Sequence, residues 1–513
     1  GNDFDESIAG LKLPSGIEIL SFGDRFNQPL DRANLSENLR SLTFGVNFNQ
    51  NLEHVLLPHR LQSLTFGWDF NQSLSCALPE SLRSLTFGYS FDQSIACLNC
   101  PKGLEHLSFG FCFNHPLGGD PFPSNLKTLS FGHDFNQSLE GVTFPSSLQS
   151  LTFGACFQQD LEPANLPAAL QLLNLGPGYD SPLHRVKLPQ SLRNLSLSGL
   201  FNQPLEDVAF PDGLQHLAFG FYFNQSLQNL PDSLQSLTVG HDFKQSSESV
   251  QLPKQLQIFN FGGTLWPHAN LQLPSTLRKL SLAKRFNQSL DDMMFPATLA
   301  ELILAGDFNQ PLDGVSLPEG LESLTLAGDF NQSLARVRFP ESLLELKLGF
   351  RFNRDLDAVT FPAKLRGLTF GHEFDQDIRG AAFPDGLENL SFGWGFDQVL
   401  DGVKLPSGLK SLSFKHFFNQ GLQGLSLPPG LRSLCLSTAF NQSLDAVALP
   451  SALQELSFGS DFNQPMAGVR LPGGLVKLVF GDNFDQNLEG VIFPVSLQEL
   501  TFGSDFSHSL EHV

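Results

Sequence analysis

A phenylalanine-led segment of 22 residues, FNQSLEGVTFPSSLQSLTFGAC from Phe135 to Cys156, recurs along the whole chain. Its marker position occurs 24 times between Phe4 and Phe506, and twenty of the 23 intervals are 22 residues long. Tyr179 and Leu265 replace the Phe at two markers. A fixed period of this length means a solenoid, because one such unit cannot close its own apolar face and must bury it against the next. The 513 residues therefore read as a single continuous array over 1–513, with irregular coils at about 176–285, and not as the three or four domains a chain of this length otherwise holds.

Numbering slots from the marker gives F-N-Q-S-L-x-x-V-x-L/F-P-x-x-L-x-x-L-x-F-G-x-D. Slots 1, 5, 8, 10, 14, 17 and 19 are usually apolar, and slots 17 to 19, as in Leu151, Thr152 and Phe153, alternate like a short strand. Slot 11 is Pro in 22 of the 23 repeats that reach it, Ser36 being the exception. Proline there ends strand pairing and forces a corner, and the frequent Gly at slot 20 suits a turn with positive φ. No helical period is long enough to count between corners. The 50 Phe, against 3 Tyr, 3 Trp and 3 Met, follow from two inward slots, 1 and 19, and imply no aromatic chemistry.

These residues carry a resemblance. LPEGLESLTLAGDF at Leu317 to Phe330 resembles a leucine-rich repeat of the short LPxxLxxLxL type, and FNQP at Phe201 to Pro204 or Phe308 to Pro311 resembles the FNIP repeat of protist and giant-virus proteins. The resemblance implies a β-rich, leucine-rich-repeat-like solenoid of about 23 coils, with one parallel strand row on its concave face and little helix. It also implies a protein–protein interaction role. One departure stands out: here the apolar Phe precedes the Asn, so the asparagine ladder of leucine-rich repeats does not transfer unchanged.

Slot 2 is Asn fourteen times and Asp six times. Both offer a side-chain oxygen close to the backbone, suited to an Asx-type turn onto a nearby N–H. The competing reading is a row of Ca2+ ligands, but the acids Asp5, Asp92, Asp180, Asp375, Asp397 and Asp485 are mostly scattered and lack a glycine-rich Ca2+ repeat signature. Slot 18 is Ser or Thr in 16 of 23 repeats, which suits an exposed sheet surface. A crystal-binding lattice is the weaker alternative, interrupted at Asn174, Asn260, Ile303 and Lys347.

Slot 21 points to a working surface. Successive repeats place Trp68, Tyr89, Phe111 and His133 in one row, Phe221 and His241 in another, and Phe350, His372, Trp394 and His416 in a third. Following the turn Gly, they belong at the rim, where stacked rings would form an interaction strip. The alternative is that these rings fold back over the coil edge. His372 and His416, two coils or about 10 Å apart, cannot share one metal, and neither a metal nor a cofactor is expected. The few Trp and Tyr concentrate near this rim and the irregular centre.

The remaining signals exclude more than they assign. A net charge of -21 opposes sequence-independent nucleic-acid binding, which depends on cationic groups. Apolar runs shorter than about 18 residues leave no membrane-spanning segment. Cys76 and Cys97 share slot 7 of adjacent repeats, within disulfide reach, with free thiols the other reading; Cys100 replaces an apolar core residue. Nine N-x-S sequons occur, but six are the repeat's own NQS, so neither they nor the cysteines assign a compartment. No phosphate loop, HExxH or GxSxG is present, and the chain is not expected to be an enzyme. Gly1 falls at slot 20 and Val513 at slot 8, which reads as a segment of a larger protein, with end-to-end self-association the alternative. The expected function is a non-enzymatic structural or protein-interaction scaffold, and the alternative is an extracellular adhesion or carbohydrate-binding surface on the rim aromatics.

Overall fold

The computed structural model describes residues 2–11, 13–74, 77–95, 98, 100–118, 122–264, 266 and 271–510. The chain divides into two compact units, Gly1–Leu256 and Gln257–Val513. Among the described residues the first unit contributes eleven short strands, from Ile19–Ser21 to Ser236–Val239, and a single 3-10 turn at Ser247–Ser249; the second contributes twelve, from Ile258–Phe261 to Glu499–Thr501. Within each unit, strands of consecutive coils pair parallel and in register. Leu64 lies opposite Leu85 in the first unit, and Leu390 opposite Leu412 in the second. The expected β-solenoid with little helix is the observed architecture.

The strands occupy slots 16 to 18, one residue earlier than the alternation predicts, and reach slot 19 in coils such as Asn389–Phe392. Even where the strand stops short, pairing continues through slot 19: the Phe66 N–H donates to the Thr86 carbonyl at 2.9 Å. Corners close by local turns. Pro58 O accepts the Leu61 N–H at 3.0 Å, and Leu52 O accepts the Val55 N–H at 3.0 Å. The core of one coil comprises Phe48, Leu52, Val55, Leu61, Leu64 and Phe66, all buried; slot 10, here Leu57, is only half-buried.

The phenylalanines form two columns that interlock. Slot-1 rings stack along the axis, with centroids 6.1 Å apart for Phe26 and Phe48 and 6.2 Å for Phe48 and Phe70. Slot-19 rings run beside them, and each slot-19 ring meets the slot-1 ring four residues on more closely, at 3.8 Å for Phe44 and Phe48. Where slot 19 is also Phe, a ring such as Phe48 is held by Phe26, Phe44 and Phe70, with the near-parallel offset geometry that aromatic pairs favour.

The slot-20 glycines serve a different purpose from the one expected. Most do not have positive φ; Gly176 does, while several other positive-φ glycines fall at slots 7 and 21, including Gly141 and Gly306. At slot 20 the requirement is space. A Cβ on Gly67 would collide with the carbonyl of Gly45, one on Gly88 with that of Gly67, and one on Gly110 with that of Gly88. Backbone stacks on backbone here, and only glycine permits that approach.

Slot 2 also departs from the expectation of a local turn. The side-chain oxygen reaches into the following coil, where it accepts the backbone N–H of the next slot-2 residue and the amide of the slot-3 Gln. Asn441 Oδ1 accepts from Asn463 N at 2.9 Å and from Gln464 Nε2 at 2.9 Å. Asp375 does the same for Asp397 N and Gln398 Nε2, both at 2.9 Å. The ladder exists after all, and it runs through an Asn that follows the core Phe. The six NQS asparagines, including Asn71, Asn136 and Asn331, are all acceptors in it. A second polar column, unforeseen, runs through slot 13: Ser147 Oγ donates to Leu126 O at 2.7 Å and Ser342 Oγ to Leu321 O at 2.7 Å.

Two predictions follow from the ladder. Replacing Asn441 by Leu leaves a part-buried backbone N–H and the Gln464 amide without an acceptor and costs about 1–3 kcal/mol, whereas Asn441→Asp keeps the acceptor. Urea melts should rank wild type and Asn441→Asp together, well above Asn441→Leu; equal midpoints for all three would refute the ladder's role. Acid acts on the carboxylate members. The Asn27 backbone N–H and Gln28 amide lower the carboxyl of Asp5, and the Ser507 backbone N–H and hydroxyl lower that of Asp485. A folded pKa below the unfolded one stabilises fully above the ordinary Asp range near 4 and loses that contribution as pH falls through the depressed value. Hydrogen exchange at the Asn27 and Ser507 amides should therefore lose protection in acid, and Asp5→Asn and Asp485→Asn should remove that pH dependence.

Candidate functional site

The slot-21 rings stand where the backbone permits them. Trp68, Tyr89, Phe111 and His133 each follow a slot-20 glycine, as do Phe221, His241, Phe350, His372 and Trp394; His416 follows Lys415 instead. The coils with Ala305 and Ala327 at slot 20 take another path. There Gly306 and Gly328 occupy slot 21 with positive φ, and no ring is presented.

In the first unit the expected row is a continuous stack. Trp68 and Tyr89 lie 4.1 Å apart with planes within 6°, Tyr89 and Phe111 4.4 Å within 14°, and Phe111 and His133 4.2 Å within 4°. Phe221 and His241 stack separately at 4.5 Å. The row of the second unit is looser: Phe350 and His372 are 4.6 Å apart at 25°, His372 and Trp394 4.8 Å at 45°, and Trp394 and His416 5.3 Å at 60°. About half the surface of Trp68 (52%), Phe350 (50%) and Trp394 (51%) is exposed, so these rings do not fold back over the coil.

Stacking decides what each strip offers. In the first unit the inner rings spend both faces on one another and turn only edges outward. In the second, the tilts leave part of the Trp394 face open. The strips are bordered by acids: Asp69 follows Trp68, and Glu373 follows His372. His133 Nδ1 lies 2.6 Å from Asp134 Oδ1, and His241 Nδ1 lies 2.8 Å from Asp242 Oδ1. Trp394 sits between His372 and His416, keeping the two imidazoles in separate contacts.

Two exposed aromatics escape a search confined to slot 21. Tyr222 packs edge-on against Phe221 with centroids 5.0 Å apart, and Phe417 lies 4.5 Å from His416. Both sit at slot 22, and the signal in the sequence was an aromatic pair where the repeat has x-D. The rare aromatics of the irregular centre differ from those of the rim. Tyr179 is fully buried in the slot-1 column between Phe157 and Phe201, and burial raises its phenol pKa. Trp266 is buried, edge-on to Phe261 at 4.9 Å. These two aromatics belong to the core and not to a surface.

Of the other candidates, the slot-2 acids have ladder roles, as described for Asp375. The slot-18 hydroxyls are half-buried, and some bond along the row, Ser413 Oγ donating to Ser391 Oγ at 2.8 Å. The Cys100 thiol is pushed up to about 12 by burial, consistent with its place among apolar slots. Cys76, Cys97, Leu265 and His268 lie outside the described residues.

The sequence profile of the FNIP repeat matches residues 4–35, 26–69, 70–112, 113–156, 201–230, 223–264, 308–351, 352–395, 374–417, 396–439, 418–461 and 462–505. No curated protein sequence matches the chain. Among solved structures it is similar to CroV588, described as a novel circular LRR protein, with 32% identity and a TM-score of 0.68 over 97% of this chain and 90% of that one. It is also similar to the protein chain of a TLR13–ssRNA13 complex, with 16% identity and a TM-score of 0.58 over 91% of this chain and 78% of the other, a likeness of fold alone. No helix among the described residues is long and apolar enough to cross a membrane. The chain is a repeat scaffold with a leucine-rich-repeat-like fold, of a kind that is generally non-enzymatic and typical of protein–protein interaction. Its period, its Phe-Asn-Gln ladder and the profile matches along both units converge on one assignment: the chain belongs to the FNIP repeat family.

Proposed function

We propose that the protein is a protein-interaction scaffold that engages its partner through the slot-21 aromatic strips, with Trp68, Tyr89, Phe111 and His133 as the principal contact row. The observation that carries this reading is the continuous, half-exposed stack of four rings. Aromatic rings that are already ordered lose little conformational freedom on binding, and such residues are favoured as interface anchors. The bordering acids and the net charge of -21 favour a partner surface of apolar and guanidinium-bearing side chains.

The same stack weighs against the adhesion or carbohydrate alternative at Tyr89 and Phe111. A sugar packs against an open aromatic face, and Tyr89 and Phe111 each have neighbours on both faces. Among the described residues Trp68 and Phe350, at the ends of their rows, each stack on one ring, and Trp394 is tilted and half-exposed, so a glycan reading rests on those three positions.

Two double variants separate these readings, Trp68→Ser with Phe111→Ser, and Phe350→Ser with Trp394→Ser. In pull-downs with the full chain, a protein captured by the wild type should be lost from the first variant, while circular dichroism and melting stay unchanged. Capture that survives both variants would overturn the strip as the contact surface. Retention on immobilised glycans that disappears with the second variant, with no protein capture affected, would favour adhesion.

A further inference from the structure

At the end of the first aromatic strip, three donor atoms from two adjacent coils converge on one point. His133 Nδ1 is 2.6 Å from Asp134 Oδ1 and 3.6 Å from Cys156 Sγ, and Cys156 Sγ is 4.0 Å from Asp134 Oδ1. We propose that His133, Asp134 and Cys156 form a binding site for a thiophilic divalent cation, with Zn2+ as its representative.

The geometry distinguishes this from a nucleophilic triad. A Cys-His-Asp relay uses the two imidazole nitrogens separately, one toward the thiol and the other toward the carboxylate. Here the same nitrogen faces both. A single Nδ1 cannot donate to the carboxylate and accept from the thiol at once, whereas one cation can satisfy all three atoms. Tetrahedral Zn2+ with bonds of about 2.0 Å to N and O and 2.3 Å to S places its ligand atoms roughly 3.3–3.5 Å apart. The observed edges lie within about 0.7 Å of those values, so side-chain adjustment alone closes the site.

The surrounding structure holds the donors in position. His133 stacks on Phe111 at 4.2 Å, which fixes its ring plane. The Asp134 N–H donates to Phe111 O and the Cys156 N–H to His133 O, each at 2.8 Å. The strip ends here because slot 21 of the next coil is Ala155, and Gly178 follows Cys156 in the slot-22 column. These small residues give a water or a partner's side chain room to serve as fourth ligand, the open position of a three-ligand zinc site. Histidine followed by an acid recurs at His241–Asp242 and His372–Glu373, but slot 22 of the next coil is then Thr264 or Gly395. Those pairs supply internal controls without the sulfur donor.

The test uses the full chain under reducing conditions, with Co2+ as a spectroscopic probe and Zn2+ in competition with a chromophoric chelator. The wild type should bind one ion with a thiolate-to-Co2+ charge-transfer band. Cys156→Ser should abolish that band and weaken Zn2+ at least tenfold, and His133→Asn should weaken Zn2+ similarly, with melting unchanged in the absence of metal. Because the chain holds other thiols, a variant with Cys76, Cys97, Cys100, Cys112 and Cys435 all changed to Ser should keep the band. A wild type that never develops it, or a Cys156→Ser protein that keeps both band and affinity, would overturn the proposal. Neither result bears on partner capture by Trp68 and Phe111, which needs no metal.

Discussion

The rest of this structure depends on the distance between consecutive coils. Parallel pairing of slots 16 to 18 sets adjacent strands about 4.8 Å apart, and every other row must accommodate that spacing. At slot 20, where backbone lies directly over backbone, no Cβ fits above Gly67 or Gly88. At slot 2 the spacing lets an Asn or Asp oxygen reach the next coil's N–H at about 2.9 Å, as Asn49 does for Asn71. At slots 1 and 19 it brings rings within contact of rings above and below. Backbone polar groups away from strand regions would otherwise lack partners, and burying them so would be costly. Replacing the expected local turn by a cross-coil bond solves that problem wherever slot 2 is Asn or Asp.

Coil chemistry also determines where a surface feature can appear. A slot-20 glycine lets the chain continue into a slot 21 that carries any side chain, and rings collect there. In the coils of Ala305 and Ala327 the turn differs, slot 21 being a positive-φ glycine, Gly306 or Gly328, and the ring is lost. The interruption between the Phe221 and Phe350 rows therefore reflects a change of turn type in coils such as those of Ala305 and Ala327. Neighbouring slot-21 rings stack because parallel register holds them at coil spacing, and the strips are a by-product of the same constraint that excludes a Cβ one residue earlier.

Much of this was legible in the sequence, though unevenly. Period, strand row, proline corner and the slot-21 rows follow from residue identities alone, because each is repeated and each has a local cause. The role of the slot-20 glycine was not legible, since a glycine required for space and one required for positive φ are the same letter. The slot-2 acceptor was recognisable as an acceptor, but its partner lies 22 residues away and nothing local names it. Slot-13 Ser was missed for the same reason. Tyr179 stands in the Phe column, as its marker slot implies, whereas Trp266, an uncommon aromatic at a slot that is otherwise polar, fills the core of an irregular coil.

Cross-coil geometry also explains how an array of near-identical units acquires a singular site. Slots 21 and 22 are exposed enough to vary without disturbing the core, yet parallel register stacks each against its counterpart one coil on. Two independent substitutions at neighbouring heights then become a fixed constellation. His133 and Asp134 alone are an exposed hydrogen-bonded pair, and surface pairs of this sort contribute little to stability. Cys156, one coil later in the column of Asp134, supplies the third donor, and its N–H bond to His133 O holds the two coils in step. The His241–Asp242 pair shows that the first two residues recur without the third, so the soft-metal chemistry assigned to the first site comes from a single residue in the next coil and from the register that places it there.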